Sequence, residues 1–423
     1  MLTTYTTYKD SGVEWIEEIP SHWEITKMKY GVNHLSEKGK PEKTDIKISP
    51  ENVESDTGVC FNLYSEHESD GMRFQSGDIL LNKLRLYLKK ILYVEYDGFS
   101  LGEMIVLRTN NKLNNKYFYQ LLFSQGLIDL LDSQSTGIKL PRVSPDVILN
   151  TEIVYPPLNE QQQIVSFLDT KTSLIDSLIE KTQQKIVLIK EKRTSLINEV
   201  VTKGLNSNVK MKDSGVEWIG EIPYHYKNGK LKHLCNENQS SLSNSTDPDY
   251  GLNYIEISDV NSEGVIGNST PYIFSESPSR CRRIVQKGDV IVSTVRTYLK
   301  SIGLIEEEVE DLICSTGFSV LTPNIEINSK YLFYLLRTEW FISMVISKSE
   351  GVSYPSIQSE KLMNIDVVFC ELSEQQQQIV EYLDKQTEEI DTLIQLEQKK
   401  IDTLKEYRQS LISEVVTGKL RVV

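Results

Sequence analysis

The sequence predicts an α+β protein in which two pseudo-symmetric α/β domains are separated by an antiparallel two-helix coiled coil. Three observations predict it: the chain repeats itself once, each repeat changes texture once from mixed to purely helical patterning, and the two helical stretches carry the same apolar seam. A length of 423 residues with 39% hydrophobic and 25% charged side chains suits two or three globular domains and argues against disorder.

The repeat is explicit. Asp10-Ser-Gly-Val-Glu-Trp-Ile-Glu-Glu-Ile-Pro20 returns as Asp213-Ser-Gly-Val-Glu-Trp-Ile-Gly-Glu-Ile-Pro223, with ten of eleven positions identical at an offset of 203. Gly77-Asp78 with Arg85, Tyr87, Leu88 and Lys89 matches Gly288-Asp289 with Arg296, Tyr298, Leu299 and Lys300 at an offset of 211, and residues 116–122 match 330–336 at 214. Leu158-Asn-Glu-Gln-Gln echoes Leu372-Ser-Glu-Gln-Gln, and residues 193–201 echo 408–416 at 215. The slow drift places small loop insertions between matched elements.

Taken in order, residues 1–157 and 206–371 mix short β-rich runs, such as 289–295, with apolar helical stretches, such as 330–347, and read as compact α/β domains. Residues 158–205 and 372–423 hold the two long helices. Alternate steps of four and three place Leu168, Ile175, Ile179, Ile186, Ile189 and Leu196 on one seam and Leu383, Ile390, Ile394, Ile401, Leu404 and Leu411 on the other, as a coiled coil requires. Arg193 and Arg408 interrupt the seams and read as side chains snorkelling at the coil edge in preference to fixing the register. Asn159 with Gln162, and Ser373 with Gln376, predict capping boxes; Pro157 bars an earlier start, and Gly204 and Gly418 mark the ends. Each helix then runs about 43 residues, or about 65 Å. The first helix leads from one domain to the next and the second begins where that domain ends, so their pairing must be antiparallel and the expected shape is a dumbbell.

The chemistry-bearing motifs are missing. No phosphate-binding G-x-x-x-x-G-K-[ST], no G-x-G-x-x-G, no H-E-x-x-H and no G-x-S-x-G occurs. Tyr155-Pro-Pro-Leu158 lacks the polar residue and the aromatic of an amino-methyltransferase signature and reads as a stiff lead-in to the helix. His22, His34, His67, His225 and His233 are scattered, and His22 and His225 follow Ile-Pro at matched places, which favours a structural role. Five dispersed cysteines give neither a disulfide framework nor a zinc site. Nothing in residues 1–10 reads as a secretory leader and no apolar run is long enough to cross a bilayer, so a cytoplasmic setting is expected. The net charge of -14 opposes indiscriminate nucleic-acid binding, although local basic patches persist, such as residues 83–90 and 280–283.

The paired openings, the Pro-Pro-Leu-x-Glu-Gln-Gln start of a long helix, the Arg-x-Ser-Leu-Ile-x-Glu-Val-Val-Thr end and the duplication together resemble the specificity subunit of type I restriction-modification enzymes, over essentially the whole chain. The second half departs slightly, with Tyr226 in place of Trp23. The resemblance implies a non-catalytic subunit in which two target-recognition domains each read one part of a bipartite, asymmetric double-stranded DNA sequence, while the helices set the unread gap. It also implies two methyltransferase (modification) subunits that bind S-adenosylmethionine, restriction subunits that use ATP and magnesium, and no cofactor on this chain.

On that resemblance, residues shared by the two domains should touch phosphate or maintain the fold, and residues that differ should meet base edges. Arg85 with Arg296 and Lys89 with Lys300, beside Lys83, are the shared set. Residues 135–142 and 349–356 are related in frame but unlike in chemistry, which makes Lys139 and Arg142 in one, and Ser353 and Tyr354 in the other, the candidate base readers. Two other readings stay open: a coiled-coil adapter that binds protein partners without DNA, and a self-contained nuclease or methyltransferase, which the missing motifs oppose.

Overall fold

The structure is a computed structural model that describes residues 3–13, 15–66, 69–216 and 219–422. Glu14, Glu217 and Trp218 of the paired openings, and His67, lie outside the described residues. Among the described residues the α-helices are, in order, α1 (Asn115–Leu121), α2 (Gln125–Ser133), α3 (Pro145–Asn150), α4 (Leu158–Lys203), α5 (Ser329–Leu336), α6 (Glu339–Ser347), α7 (Ser359–Met363) and α8 (Ser373–Val416). Contacts divide the chain into two units, residues 1–183 with 398–423 and residues 184–397, so each unit takes in a domain together with part of both long helices.

In the first unit an antiparallel sheet runs in the order Val32–Leu35, Met104–Thr109, Ile79–Asn82, Ile91–Tyr93. The sequence Ile79-Leu-Leu-Asn is buried throughout because the sheet is covered on both faces. A second sheet, Lys38–Gly39, Gly71–Phe74, Gly98–Ser100 and Lys47–Ile48, lies in the same unit. Trp23, Tyr117 and Phe118 form the core with Ile164 and Leu168 of α4 and Leu411, Ile412, Val415 and Val416 of α8. Burying each such aliphatic side chain contributes roughly 1.5–3 kcal/mol.

The second unit repeats the plan. Its main sheet orders Cys235–Glu237, Phe318–Pro323, Val290–Ser293 and Ile302–Leu304, and its core joins Tyr226, Tyr331 and Phe341 to Ile197, Val200 and Val201 of α4 and to Ile379, Val380 and Leu383 of α8. The matched Gly-Asp pairs that precede the central strands are turns: Gly77 and Gly288 sit at φ 93° and 94°, where a side chain is disfavoured. Asp78 accepts from the Gln75 amide at 2.7 Å and Asp289 from the Gln286 amide at 2.9 Å. Residues 330–347 are two helices and not one, because Thr338 is extended at ψ 144° and turns its hydroxyl back onto the Leu335 carbonyl at 2.7 Å.

Both long helices form as single pieces of 46 and 44 residues. Every seam residue is withdrawn from solvent: Leu168, Ile175, Ile189, Leu383, Ile401 and Leu411 are buried, and Ile179, Ile186, Leu196, Ile390, Ile394 and Leu404 half-buried. Pairing is antiparallel within each unit. In the first, Arg408 of α8 meets Asp176 of α4 at 2.9 Å; in the second, Arg193 of α4 meets Asp391 of α8 at 3.3 Å and Lys185 meets Glu397 at 2.5 Å. The two seam arginines therefore do not snorkel to water; each is held across the seam by the aspartate that the repeat supplies on the other helix.

The capping boxes are also corrected. Gln161 N–H bonds the Pro157 carbonyl and Gln376 N–H the Leu372 carbonyl, which makes Pro157 and Leu372 the N-caps and puts Asn159 and Ser373 inside the helices. A different pair of side chains fastens the helix starts. Gln161 and Gln376 are both fully buried, and each accepts a backbone N–H from its domain, Asn114 at 2.7 Å or Asn328 at 2.8 Å, while donating back to the lead-in, Pro156 or Cys370, at 2.8 Å. The ends are as expected: Gly204 and Gly418 follow the last turns at φ 72° and 78°.

Candidate nucleic-acid interface

Each domain carries the same backbone device after its central strand. Arg85 and Lys89 flank the single 3-10 turn Leu86–Leu88, and Arg296 and Lys300 flank Thr297–Leu299. All four flanking residues are left-handed, at φ 52°, 45°, 51° and 57°, a conformation that costs a non-glycine residue roughly 1–2 kcal/mol. A loop is stitched to this turn. The Arg85 N–H donates to the Pro141 carbonyl at 2.9 Å and the Arg296 N–H to the Pro355 carbonyl at 2.7 Å. The loop bases are closed by paired backbone bonds, Thr136 with Arg142 at 2.8 and 2.9 Å and Glu350 with Ser356 at 2.9 Å each way. Gly137 and Gly351, at φ 101° and 110°, turn the chain into the tips.

The sequence-predicted residues thus gather on one surface of each domain, with different fates. Arg85 is exposed, and Lys139 is exposed at the loop tip. Lys83 and Arg142 share Glu103, at 3.4 and 2.7 Å, which leaves the trio a net positive charge. Arg142 remains exposed while its pairing with Glu103 anchors the base of the loop. Lys89 is corrected: it is 3% exposed, donates to Gln125 Oε1 at 2.6 Å and lies 3.4 Å from Asp56, so its ammonium cannot reach a phosphate. Its counterpart Lys300 is exposed. Arg296 is exposed and stacks over the Tyr354 ring at 4.7 Å, and Ser353 and Tyr354 are exposed beside it. Burial, and secondarily the Lys83 charge, hold the His34 imidazole below its ordinary pKa, so lysine and arginine supply the positive charge there.

Sequence reasoning noted Tyr87 and Tyr298 only as repeat matches and overlooked Ile138 and Val352 on the same surface. Tyr87 and Tyr298 are each 51% exposed, and Ile138 and Val352, at matched tip positions, are wholly exposed. The offset of 211 that aligns Arg85 with Arg296 aligns Tyr87 with Tyr298, and the offset of 214 that aligns the loops aligns Ile138 with Val352. His22 and His225 are structural, bonding Glu160 and Gln375 near the starts of α4 and α8 at 2.8 and 2.7 Å.

The type I restriction modification DNA specificity domain matches residues 63–188 and 223–406. The chain belongs to this family. It is a specificity subunit of a type I restriction-modification system, and its role is DNA sequence specificity. It is 24% identical over 424 residues to the type I restriction enzyme MjaVIII specificity subunit of Methanocaldococcus jannaschii, covering 96% of this chain and 94% of that one. It is 22% identical over 170 residues, 38% of each chain, to the EcoDI specificity subunit of Escherichia coli. In fold the specificity subunit is similar to a chain from a structure of type I R-M complex assembly and conformational transition, with a TM-score of 0.72, 19% identity and coverage of 95% and 99%. It is also similar to the HsdS subunit from Thermoanaerobacter tengcongensis, with a TM-score of 0.52, 18% identity and coverage of 95% and 98%. Among the described residues no helix is long and apolar enough to cross a membrane.

Proposed function

We propose that each α/β domain reads one part of a bipartite, asymmetric DNA target and that α4 and α8 set the length of the unread gap. The observation that carries this reading is the duplicated surface, in which the same left-handed arginine turn, at Arg85 and at Arg296, supports tips of unlike polar chemistry. Shared cations suit a phosphate backbone that is the same at every sequence; unlike tips, Lys139 in one and Ser353 with Tyr354 in the other, suit two different sets of base edges. Lys300 joins Arg85 and Arg296 on the phosphate side.

The subunit is non-catalytic and cytoplasmic, with two methyltransferase subunits docked on its frame and restriction subunits joining them. S-adenosylmethionine then belongs to the methyltransferases, and ATP with magnesium to the restriction subunits. Clamping by those partners supplies the nonspecific affinity that a chain of net charge -14 does not. Mapping methylated adenines in a host with and without this chain tests the reading. One split motif, with two defined parts and a fixed gap, should disappear when the chain is removed; an unaltered methylation pattern would refute it.

A further inference from the structure

Exposed aliphatic side chains scattered singly over a surface carry no message. Ile138 and Val352 are not scattered. They are exposed to 104% and 101% of the reference state and occupy the same place in the two repeats, 214 residues apart. Each is followed two positions later by a second exposed apolar residue, Leu140 at 49% and Tyr354 at 63%. Neither loop is slack: both are closed by two backbone hydrogen bonds and tied to the arginine turn by a third. Each domain therefore presents an apolar point on a stiff stalk, which an unsupported loop would fold back against its own surface.

The surroundings identify what the points meet. Lys139 adjoins Ile138, and the Arg85 N–H holds the foot of that loop; Arg296 stacks over Tyr354 in the loop of Val352, and Lys348 precedes that loop, all exposed. Two acidic groups of these surfaces are paired, Glu103 by Lys83 and Arg142, and Glu350 by Lys361. An apolar point with exposed cations beside it suits a target that is anionic outside and apolar within, which is a stacked duplex. Because the two points are alike while the domains read different bases, their task is independent of sequence. We infer that Ile138 and Val352 are wedges that enter the base stack, one in each half-site, and loosen a base step there, as apolar side chains do when they part neighbouring base pairs. A nucleotide must leave the stack before a methyltransferase can act on it, so a loosened step beside the target serves the subunit's partners.

This inference rests on the bipartite reading proposed above. The test uses the full chain in complex with its modification subunits and a duplex carrying the mapped target, with 2-aminopurine replacing in turn each adenine in and beside both half-sites other than the methylated one. The variants are Ile138→Ser and Val352→Ser. Ile325→Ser serves as control, since Ile325 is 102% exposed but has Asn111 as its counterpart in the other domain. With the parent chain, fluorescence should rise at one step in each half-site. Ile138→Ser should abolish the rise in one half-site and Val352→Ser in the other, each weakening binding about ten-fold, or about 1.4 kcal/mol, with the methylated motif and the control unchanged. A rise that survives both substitutions overturns the wedge, as does a changed base preference, which would make the tips readers, or loss of the modification subunits without DNA, which would make them protein contacts. If the parent complex does not prefer the split target over a scrambled duplex, the bipartite reading fails and the wedge with it; with that preference intact, only the wedge is at stake.

Discussion

Replacing Gln161 by leucine tests how the first domain is fastened to its long helix. The side chain is fully buried; Oε1 accepts from the Asn114 N–H at 2.7 Å, and Nε2 donates to the Pro156 carbonyl at 2.8 Å and to the Lys112 carbonyl at 3.3 Å. Leucine keeps most of the volume but leaves one backbone N–H and one well-bonded carbonyl buried without partners. Each orphaned group costs about 1–3 kcal/mol, and the apolar side chain recovers about 1–2 kcal/mol by its own burial, so the net loss should be about 2–3 kcal/mol. Gln162 is exposed on the same helix, and leucine there should change stability by less than about 0.5 kcal/mol. Urea unfolding followed by far-ultraviolet circular dichroism measures both as a shift in midpoint at constant slope. Amide exchange at Asn114 should quicken only in Gln161→Leu. Equal midpoints for the two variants, or a larger effect at Gln162, would refute the fastening and restore the capping box.

The same geometry predicts that Gln376→Leu destabilises the second unit by a similar amount, visible as faster exchange at Asn328. A double-mutant cycle on Arg408 and Asp176 should give a coupling of about 0.5–1 kcal/mol, since the arginine side chain is 17% and the aspartate 52% exposed, and Arg193 with Asp391 should agree within a few tenths. Arg85→Ala should weaken DNA binding on all sequences and lower the salt slope by about 1, measured by titration across salt concentrations. Lys139→Ala should relax preference in one half-site, read from the methylated motif; an unchanged motif removes Lys139 from the readers.

Periodicity carried the long helices because a 3.5-residue seam over four heptads has few other meanings, and antiparallel pairing followed from connectivity alone. The ion pairs across the seam were equally available: Asp176 and Asp391 stand at the same offset of 215 as Arg193 and Arg408, but a seam-by-seam reading does not look across to the facing helix. Gln161 and Gln376 lay inside the recognised Glu-Gln-Gln motif, yet nothing local distinguishes a glutamine that turns inward from its exposed neighbour. The surface was harder. Lys89 and Lys300 align in sequence, and only packing shows that Gln125 and Asp56 enclose one while the other stays in water. Cations drew attention to the loops, whereas the exposed isoleucine and valine resemble ordinary core residues until the fold withholds a core from them.

The four left-handed residues separate a binding role from a structural one by the sign of a stability change. At Arg85 and Arg296 glycine would relieve roughly 1–2 kcal/mol of backbone strain and surrender about 0.5–1 kcal/mol to the unfolded chain's greater freedom. Neither guanidinium is bonded to a carboxylate among the described residues, so Arg85→Gly should raise stability by about 0.5–1 kcal/mol, and Arg296→Gly, which also loses about 0.5–1 kcal/mol of stacking on Tyr354, should leave it nearly unchanged, while both weaken DNA binding. Lys89→Gly should behave oppositely, lowering stability because its buried stem and its bond to Gln125 are lost, with no change in salt slope. If Arg296→Gly destabilises the domain and binds DNA with an unaltered salt slope, the strained arginine serves the fold and the phosphate assignment falls. A gain in stability at Arg85→Gly coupled to a loss in binding would instead mean that the strain is retained for the side chain it displays.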